Sequence, residues 1–305
     1  MSILVVGTVA FDNIQTPFGK AERCLGGSAT YFSVAASFFT DVDLIASVGD
    51  DFTDRDLEIF RGRRINLEGL DRVPGAKTFF WSGEYGYDLN VAKTRETQLN
   101  VFADFHPRLN EQQRRADVLF LANIHPELQM DVLQQAKRPR LVALDTMNLW
   151  IATKHEALEK AFRQVDMVVI NEAETRQFTG QTNLIKSARE ILSLGPRTIV
   201  IKRGEYGVLM ITRSAAFAVP AYPLEDVFDP TGAGDTFAGG FLGYLTSRKN
   251  HDESEMRRAI IFGIVLASFT VEKFSLDRLR EITLEDIYER YRAFRALTHF
   301  EDFEV

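Results

Sequence analysis

The sequence has little of what secreted, membrane-spanning and nucleic-acid-binding proteins depend on. Its 305 residues include a single cysteine, Cys24, which excludes an internal disulfide and indicates a reducing compartment. Acidic residues outnumber basic residues by 43 to 36 and no long basic run occurs, so neither nucleic acid nor an anionic membrane is expected as a partner. No uninterrupted apolar run reaches the roughly 20 residues that cross a bilayer. We therefore expect a soluble, cytoplasmic protein.

Two common kinds of enzyme site are also not indicated. The five histidines show no metal-ligand spacing and the lone cysteine has no partner, which disfavours a zinc or thiol enzyme. His125 follows a predicted strand and is interpreted as an ordinary loop residue. The first apolar run ends Val6-Gly7-Thr8-Val9-Ala10, without the Gly-x-Gly-x-x-Gly of dinucleotide-dependent dehydrogenases. Because nothing basic precedes Ile3, that run is interpreted as a buried strand rather than a signal peptide.

Alternating strand and helix patterns predict an α/β fold. Short runs rich in β-branched apolar residues are typical of strands buried on both faces of a parallel sheet, and most of them precede a helical pattern. Such runs occur at 2–9, 44–49, 118–122, 141–145, 167–170 and 198–202. Strands joined by helices form right-handed crossovers, so the loops that follow these strands should share one rim of the sheet, where ligands bind. We interpret residues 1–305 as a single domain.

The stretch Asp229-Pro230-Thr231-Gly232-Ala233-Gly234-Asp235 leads from a turn into a predicted helix. Glycines 232 and 234 lack side chains, so backbone N–H groups can approach an anion, and a helix start adds unpaired N–H groups and a positive dipole end. Asp235 is thus a carboxylate beside an anion site, and the helix start should favour its ionised form. This arrangement suits a reaction in which a phosphoryl group arrives and a hydroxyl loses a proton. The alternative is a glycine-rich turn that caps a core helix.

The stretch closely resembles the C-terminal signature of the ribokinase-like (PfkB) carbohydrate and nucleoside kinases, commonly Asp-Thr-x-Gly-Ala-Gly-Asp. The resemblance implies a three-layer α/β sandwich with a central, mostly parallel sheet and a small β lid. It implies transfer of the γ-phosphoryl group of ATP to a hydroxyl of a small sugar or nucleoside, with Asp235 as the base and the amides of residues 232–234 as the anion hole. A non-catalytic relative that acts as a sensor is the alternative, but it would be expected to lose Asp235 or the loop amides.

Residues 77–103 interrupt the α/β alternation with two predicted strands, 78–85 and 97–102. The resemblance implies that this segment and approximately residues 13–25 form the inserted lid. Aromatic residues concentrated on a solvent-exposed flap would be unusual, so they predict a surface that closes on substrate or pairs with another subunit in a homodimer; packing onto the main sheet is the alternative. The aromatic residues are Phe79, Phe80, Trp81, Tyr85 and Tyr87.

The resemblance also implies where the acceptor binds. Asp12 follows the first strand, where the family has an Asp that binds acceptor hydroxyls, although alone it would be an ordinary turn residue. Gly26-Gly27 resembles the N-terminal signature that meets the sugar, but the usual pattern continues to an Asn where this chain has Tyr31. An aromatic ring there either stacks on a flat acceptor, which would favour a nucleoside, or packs in the core. Further candidate acceptor contacts are Asp51, for which a helix cap is the alternative, Asp145 and Asn148.

Asn171 and Glu174 resemble the family's Asn-x-x-Glu, which holds water ligands of Mg²⁺ and contacts phosphates. Mg²⁺ prefers oxygen ligands and keeps several waters, so an amide and a carboxylate one helical turn apart suffice; the alternative is a capping box. Further nucleotide contacts are implied at Lys202, Gly204, Gly207, Thr231 and Ala267. An ordinary hairpin turn before residues 208–211 would explain Gly204 and Gly207 equally well. Ala267 lies where family members supply main-chain oxygens to a monovalent cation. Since the Gly-Ala pair that many members have next is missing here, the sequence leaves a K⁺ requirement open.

Overall fold

The computed structural model describes residues 1–301, which form alternating strands and helices. The strands are β1 (Ser2–Val6), β2 (Ala10–Thr16), β3 (Gly19–Gly26), β4 (Asp41–Gly49), β5 (Ile65–Val73), β6 (Phe79–Tyr85), β7 (Ala92–Gln98), β8 (Val118–Leu121), β9 (Leu141–Asp145), β10 (Met167–Asn171), β11 (Thr198–Lys202), β12 (Val208–Thr212) and β13 (Ala216–Val219). The helices are α1 (Ser28–Ala36), α2 (Asp54–Leu57), α3 (Pro126–Gln135), α4 (Asn148–Thr153), α5 (His155–Phe162), α6 (Glu172–Thr179), α7 (Leu184–Leu194), α8 (Ala233–Thr246), α9 (Glu253–Thr270), α10 (Asp277–Glu281) and α11 (Leu284–Thr298).

Nine strands form the main sheet, in the order β13-β12-β11-β10-β9-β8-β1-β4-β5. The seven strands from β11 to β5 pair in parallel, and β12 and β13 are antiparallel at one edge. The predicted α/β fold with a mostly parallel sheet is therefore confirmed. Because successive side chains point to opposite faces, the continuous apolar strands contribute to two cores.

The two cores make a three-layer arrangement. Ile3 and Val5 of β1 pack on one side with α1, α8 and α9, and Leu4 and Val6 pack on the other with α3, α5 and α7. Within the first layer α8 lies very close to α1, since a Cβ at Gly243 would be 2.7 Å from the Cα of Ala36. This contact joins the C-terminal parts of the two helices, and at their other ends Gly232, which precedes α8, lies against the ring of Tyr31 on α1.

A second, four-stranded sheet has the order β3-β2-β6-β7, with β2 and β6 parallel. The predicted strand at 97–102 was misplaced: β7 spans Ala92–Gln98, and Asn100–Phe102 form a 3₁₀ turn whose Phe102 packs edge-on against Phe79 at 6.0 Å. The aromatic residues of this region therefore divide. Phe79 and Phe80 pack onto the main body, Trp81 and Tyr85 are half-buried, and Tyr87 is 90% exposed.

The segment between β4 and β6 forms a short helix and an edge strand. The helix α2 covers only Asp54–Leu57 and is followed by turns, and β5 was not predicted as a strand. β5 is an edge strand with several exposed polar residues, so its pattern resembles a loop.

Among the described residues, none of the helices is both long enough and apolar enough to span a lipid bilayer.

Candidate active site

Polar side chains meet at the carboxyl ends of the central strands. Asp145 is the last residue of β9 and Lys202 is the last residue of β11. The ammonium group of Lys202 donates to Oδ2 of Asp145 at 2.7 Å, and the two side chains are 17% and 3% exposed. Burial alone would lower the pKa of Lys202, but the nearby carboxylates of Asp145, Glu174 and Asp235 raise it above its ordinary value. The rim therefore holds one ammonium group among three carboxyl groups.

The loop before α8 is held by a buried carboxylate. Oδ1 of Asp229 accepts from the N–H of Thr231 at 2.9 Å, and Oδ2 accepts from the N–H of Ser275 at 2.9 Å. Gly232 is the N-cap of α8 and has φ 75°, which only glycine adopts easily. The sequence predicted no role for Asp229, although its place at the start of the glycine motif was the available signal.

The backbone amides of this loop are not equally free. The N–H of Ala233 donates to the carbonyl of Pro230 at 3.2 Å, so the prediction that it is an open anion ligand needs correction. Across residues 1–301, the N–H groups of Gly232, Gly234 and Asp235 have no protein acceptor within hydrogen-bonding distance. Lys202 stands next to them, with its Nζ 3.2 Å from the point that a Cβ at Gly234 would occupy. Free amides and a positive charge thus meet at the start of α8.

Asp235 lies in the first turn of α8 and is half-buried. Burial, and secondarily the negative charge of Asp145, raise its pKa to about 7, while Lys202 acts in the opposite direction. The helix start was expected to favour the ionised form of Asp235, but burial and the charge of Asp145 favour the protonated form and raise its pKa to about 7. A carboxyl group with this pKa can exchange a proton near neutral pH.

Asn171 and Glu174 form a capping box at the start of α6. Oδ1 of Asn171 accepts from the N–H of Glu174 at 2.8 Å, and Oε2 of Glu174 accepts from the N–H of Asn171 at 3.1 Å. Burial raises the pKa of Glu174 to about 7, against the effect of Lys202. Within residues 1–301 there is no group of three or more acidic, His or Cys side chains that would hold a metal by itself. The donor set fits an ion such as Mg²⁺ only if water and substrate oxygens complete its coordination.

Asp12 brings a further carboxyl group to the site from β2. Its carboxyl group is 4% exposed and lies over the Cα of Gly26, where a Cβ would overlap it. Burial, followed by the charges of Asp229 and Asp235, raises the pKa of Asp12 to about 8. Gly27, with φ 95°, is the N-cap of α1, and a Cβ there would overlap the carbonyl of Thr8. Asp12, which lies against Gly26, is therefore close enough to Asp229 and Asp235 for the carboxyl groups to interact.

Tyr31 is buried in the protein core. It is 1% exposed, and its ring lies against Gly232, whose Cβ would overlap the ring carbons. Its hydroxyl has no hydrogen-bond partner among the described residues. Of the two alternatives for Tyr31, the structure shows packing in the core, because α1 packs tightly on α8 and buries the ring beneath the glycine loop.

Comparison with known proteins identifies the family. Residues 5–281 match the model of the pfkB family carbohydrate kinases. The chain belongs to the pfkB family. It is 31% identical over 255 residues to the cytidine kinase of Thermococcus kodakarensis, an alignment that covers 81% of this chain and 90% of that kinase. The family prediction made from the glycine motif is confirmed, and the chain is a phosphotransferase of the carbohydrate-kinase class.

Solved structures show the same fold. The nucleoside kinase of Methanocaldococcus jannaschii superimposes with a TM-score of 0.77 at 20% identity, covering 96% of this chain and 98% of that one. The ribokinase of Thermotoga maritima superimposes with a TM-score of 0.75 at 20% identity, covering 96% and 99%. The ribokinase-like fold predicted from the sequence is therefore confirmed.

In this kinase the small sheet touches the loops on both sides of the rim. The hydroxyl of Thr231 donates to the hydroxyl of Tyr85 on β6 at 3.1 Å. Asn90, in the β6–β7 loop, lies over Gly204 and donates through Nδ2 to Glu205 at 3.3 Å. Gly204 and Gly207 both have positive φ, 55° and 87°, and shape the turn after β11.

Three other candidates make contacts outside this cluster. Asp51 accepts from the N–H and the hydroxyl of Thr78, at 2.8 and 2.7 Å, and the adjacent helix is capped by Thr53, so the helix-cap alternative does not describe Asp51. Asn148 is exposed at the start of α4, and the hydrogen bond of its carbonyl is with Gln177 at 3.3 Å. The carbonyl of Ala267 accepts from the N–H of Val271, an ordinary contact at the end of α9.

Proposed function

We propose that this protein transfers the γ-phosphoryl group of ATP to a hydroxyl of a small sugar or nucleoside, with Asp235 as the general base. The observation that supports it is the meeting of three elements at the start of α8: the Asp235 carboxyl group, the free amides of Gly232 and Gly234, and the ammonium group of Lys202. A base, an anion site and a compensating charge are what phosphoryl transfer requires from a protein. A sensor without catalysis would have no use for this combination.

In the proposed reaction the acceptor hydroxyl loses its proton to Asp235 while its oxygen attacks the γ-phosphorus. The bond from that phosphorus to the bridging oxygen breaks, and ADP leaves with the electron pair. A pKa of about 7 places Asp235 close to the working pH, where a general base is most effective. The amides of Gly232 and Gly234, together with Lys202, would offset the negative charge of the transferred group.

Asn171 and Glu174 are the residues that would hold Mg²⁺, through water. When bound, the ion neutralises phosphate charge. The raised pKa of Glu174 supports this assignment, because a nearby cation would relieve the cost of its buried charge. Further nucleotide contacts are proposed on the rim and the neighbouring loops, at Thr231, Gly204 and Gly207.

Asp12 and the pair Gly26-Gly27 would bind the acceptor hydroxyls. At a pKa of about 8, Asp12 carries its proton near neutral pH in the absence of ligands, so it can donate one hydrogen bond and accept another. The contacts of Tyr85 with Thr231 and of Asn90 with Glu205 support the small sheet as a lid over both substrates. The names of two similar proteins, a cytidine kinase and a nucleoside kinase, favour a nucleoside acceptor.

Two expectations are not part of the proposal. The proposal does not include the K⁺ requirement that the sequence leaves open; the carbonyl of Ala267 makes an ordinary helical hydrogen bond with the N–H of Val271. It does not include the homodimer through the β lid either; all seven residues of β7 are exposed and several are charged, a composition that discourages pairing between the edge strands of two lids.

The test is a screen of ATP consumption against sugars, nucleosides and cyclitols, followed by Asp235→Asn on the best acceptor. We expect kcat to fall about 10²- to 10⁴-fold, as for loss of a general base, while ATP binding by calorimetry is retained. Asp54→Asn, which alters an exposed Asp in the first turn of α2, is the matched control and should be fully active. Full activity of Asp235→Asn would remove Asp235 from the role of base.

A further inference from the structure

The inner face of the small sheet places an aromatic ring beside Asp12. Trp81 of β6 pairs in register with Asp12 of β2, and residues paired in this way point to the same face. That face looks toward the loop 229–235, because it also carries Tyr85. Tyr85, four residues along β6 and on the same face, accepts from Thr231 in the loop. Trp81 thus lies between two side chains directed at the active site.

The indole of Trp81 has a fixed orientation. Its six-membered ring covers Gly83, where a Cβ would overlap the ring carbons. Its Nε1 donates to Oγ1 of Thr94 on β7 at 3.2 Å. One face of the ring is therefore used by the sheet, and the side chain as a whole is half-buried. Phe79, also on this face, differs in that its ring packs against Phe102.

These two groups suit different parts of one molecule. A carboxyl group binds vicinal hydroxyls, and an indole face binds a planar, apolar group. Because paired residues on adjacent strands have Cβ atoms only about 5 Å apart, one small ligand can reach both. A nucleoside carries vicinal hydroxyls on its ribose, and the neighbouring ribose carbon carries a planar base. A free pentose has no planar group.

We propose that Trp81 is a specificity-determining residue, whose indole face packs against the base of a nucleoside acceptor held by Asp12. This inference rests on the proposed function, since it takes Asp12 to mark the acceptor site. It replaces the expected role of Tyr31, which is buried beneath Gly232.

The kinetic test compares Trp81→Leu and Trp81→Phe with a pyrimidine nucleoside and with ribose as acceptors. Trp81→Leu should lower kcat/KM for the nucleoside about 10- to 100-fold, the effect of losing one base–aromatic contact, and leave ribose phosphorylation within about two-fold. Trp81→Phe should retain most nucleoside activity. Phe300→Leu, which alters an 81% exposed aromatic residue after α11 and outside the lid, is the control and should change the activity with neither acceptor.

The outcomes separate the two proposals. If the wild type phosphorylates neither class of acceptor, the proposed function fails. If it phosphorylates sugars but no nucleoside, or if Trp81→Leu lowers both activities equally, only the role of Trp81 is overturned.

A binding test without catalysis uses tryptophan fluorescence. The chain has two tryptophans, and Trp150 is bonded to Asn123 through Nε1 at 3.1 Å, away from the small sheet. In Trp150→Phe the emission comes from Trp81 alone, and cytidine without ATP should quench it while ribose should not. The same titration of Trp81→Phe should show no change. Equal quenching by ribose and cytidine would contradict packing of the base on Trp81. So would the absence of quenching at cytidine concentrations that support turnover.

Discussion

Replacing Lys202 with methionine should both destabilise the protein and change the protonation of its active site. Lys202 and Asp145 are paired at 2.7 Å with side chains 17% and 3% exposed. Removing one partner of a buried pair leaves an uncompensated charge and costs about 3–5 kcal/mol of unfolding free energy. We expect the lower end, about 3 kcal/mol, because the N–H of Thr146 still donates to the other Asp145 oxygen at 2.8 Å.

The assay is equilibrium urea unfolding at pH 7 without ligands. Arg64→Met is the matched control, since Arg64 and Asp41 form a pair of similar length, 2.8 Å, with side chains 53% and 61% exposed. An exposed pair contributes only about 0–1 kcal/mol. Adding Asp145→Asn to Lys202→Met should recover part of the loss, because it removes the charge left behind. The double variant therefore separates the charge effect from loss of packing.

The same variant tests the electrostatic link to the proposed base. Lys202 opposes the rise in the pKa of Asp235, so its removal should raise that pKa further and move the acidic limb of the pH–kcat/KM profile to higher pH. If Lys202→Met unfolds within about 1 kcal/mol of the wild type, the pair does not behave as a buried one. If the acidic limb of the pH–kcat/KM profile does not move, Lys202 does not control the protonation of Asp235.

Two further predictions concern the neighbouring residues. Asp12 has a pKa of about 8 in the folded state against an ordinary 3.8, so the folded protein binds this proton more tightly than the unfolded chain does. The free energy of unfolding should therefore fall as pH rises from about 4 to 8. Asp12→Asn should show a smaller fall, and an equal dependence of unfolding free energy on pH in both proteins would contradict the burial argument. Gly232→Ala should lower both stability and kcat, because φ is 75° and the new Cβ would overlap Tyr31. Gly62→Ala is the control, because Gly62 has φ 71° and no atom within 4 Å of the new Cβ, so this variant measures only the cost of the backbone conformation. An equal loss of stability in both variants would show that the overlap with the Tyr31 ring has no effect.

The features that could be predicted from the sequence are those whose signal is local. A continuous apolar run such as 141–145 predicts a buried parallel strand, and the glycine loop predicts an anion site at a helix start, because both depend on neighbouring residues. β5 and β7 carry exposed polar residues, so their strand character comes from pairing with distant segments and was missed or misplaced. The capping box of Asn171 and Glu174 was foreseen as an alternative for the same local reason.

Residue types and their spacing are enough to predict the chemistry that this chain can offer: a carboxylate next to bare amides, a lysine at a strand end and an aromatic strand. Which of these groups lie together depends on how the elements pack. Tyr31 is buried because α1 packs against α8, and this is why we propose Trp81, paired with Asp12 across two strands, for the contact with the acceptor. Likewise, Asp235 has a raised pKa because folding desolvates it and brings Asp145, ninety positions earlier in the chain, close to it. Desolvation and charge proximity depend on three-dimensional distance, which no local pattern encodes.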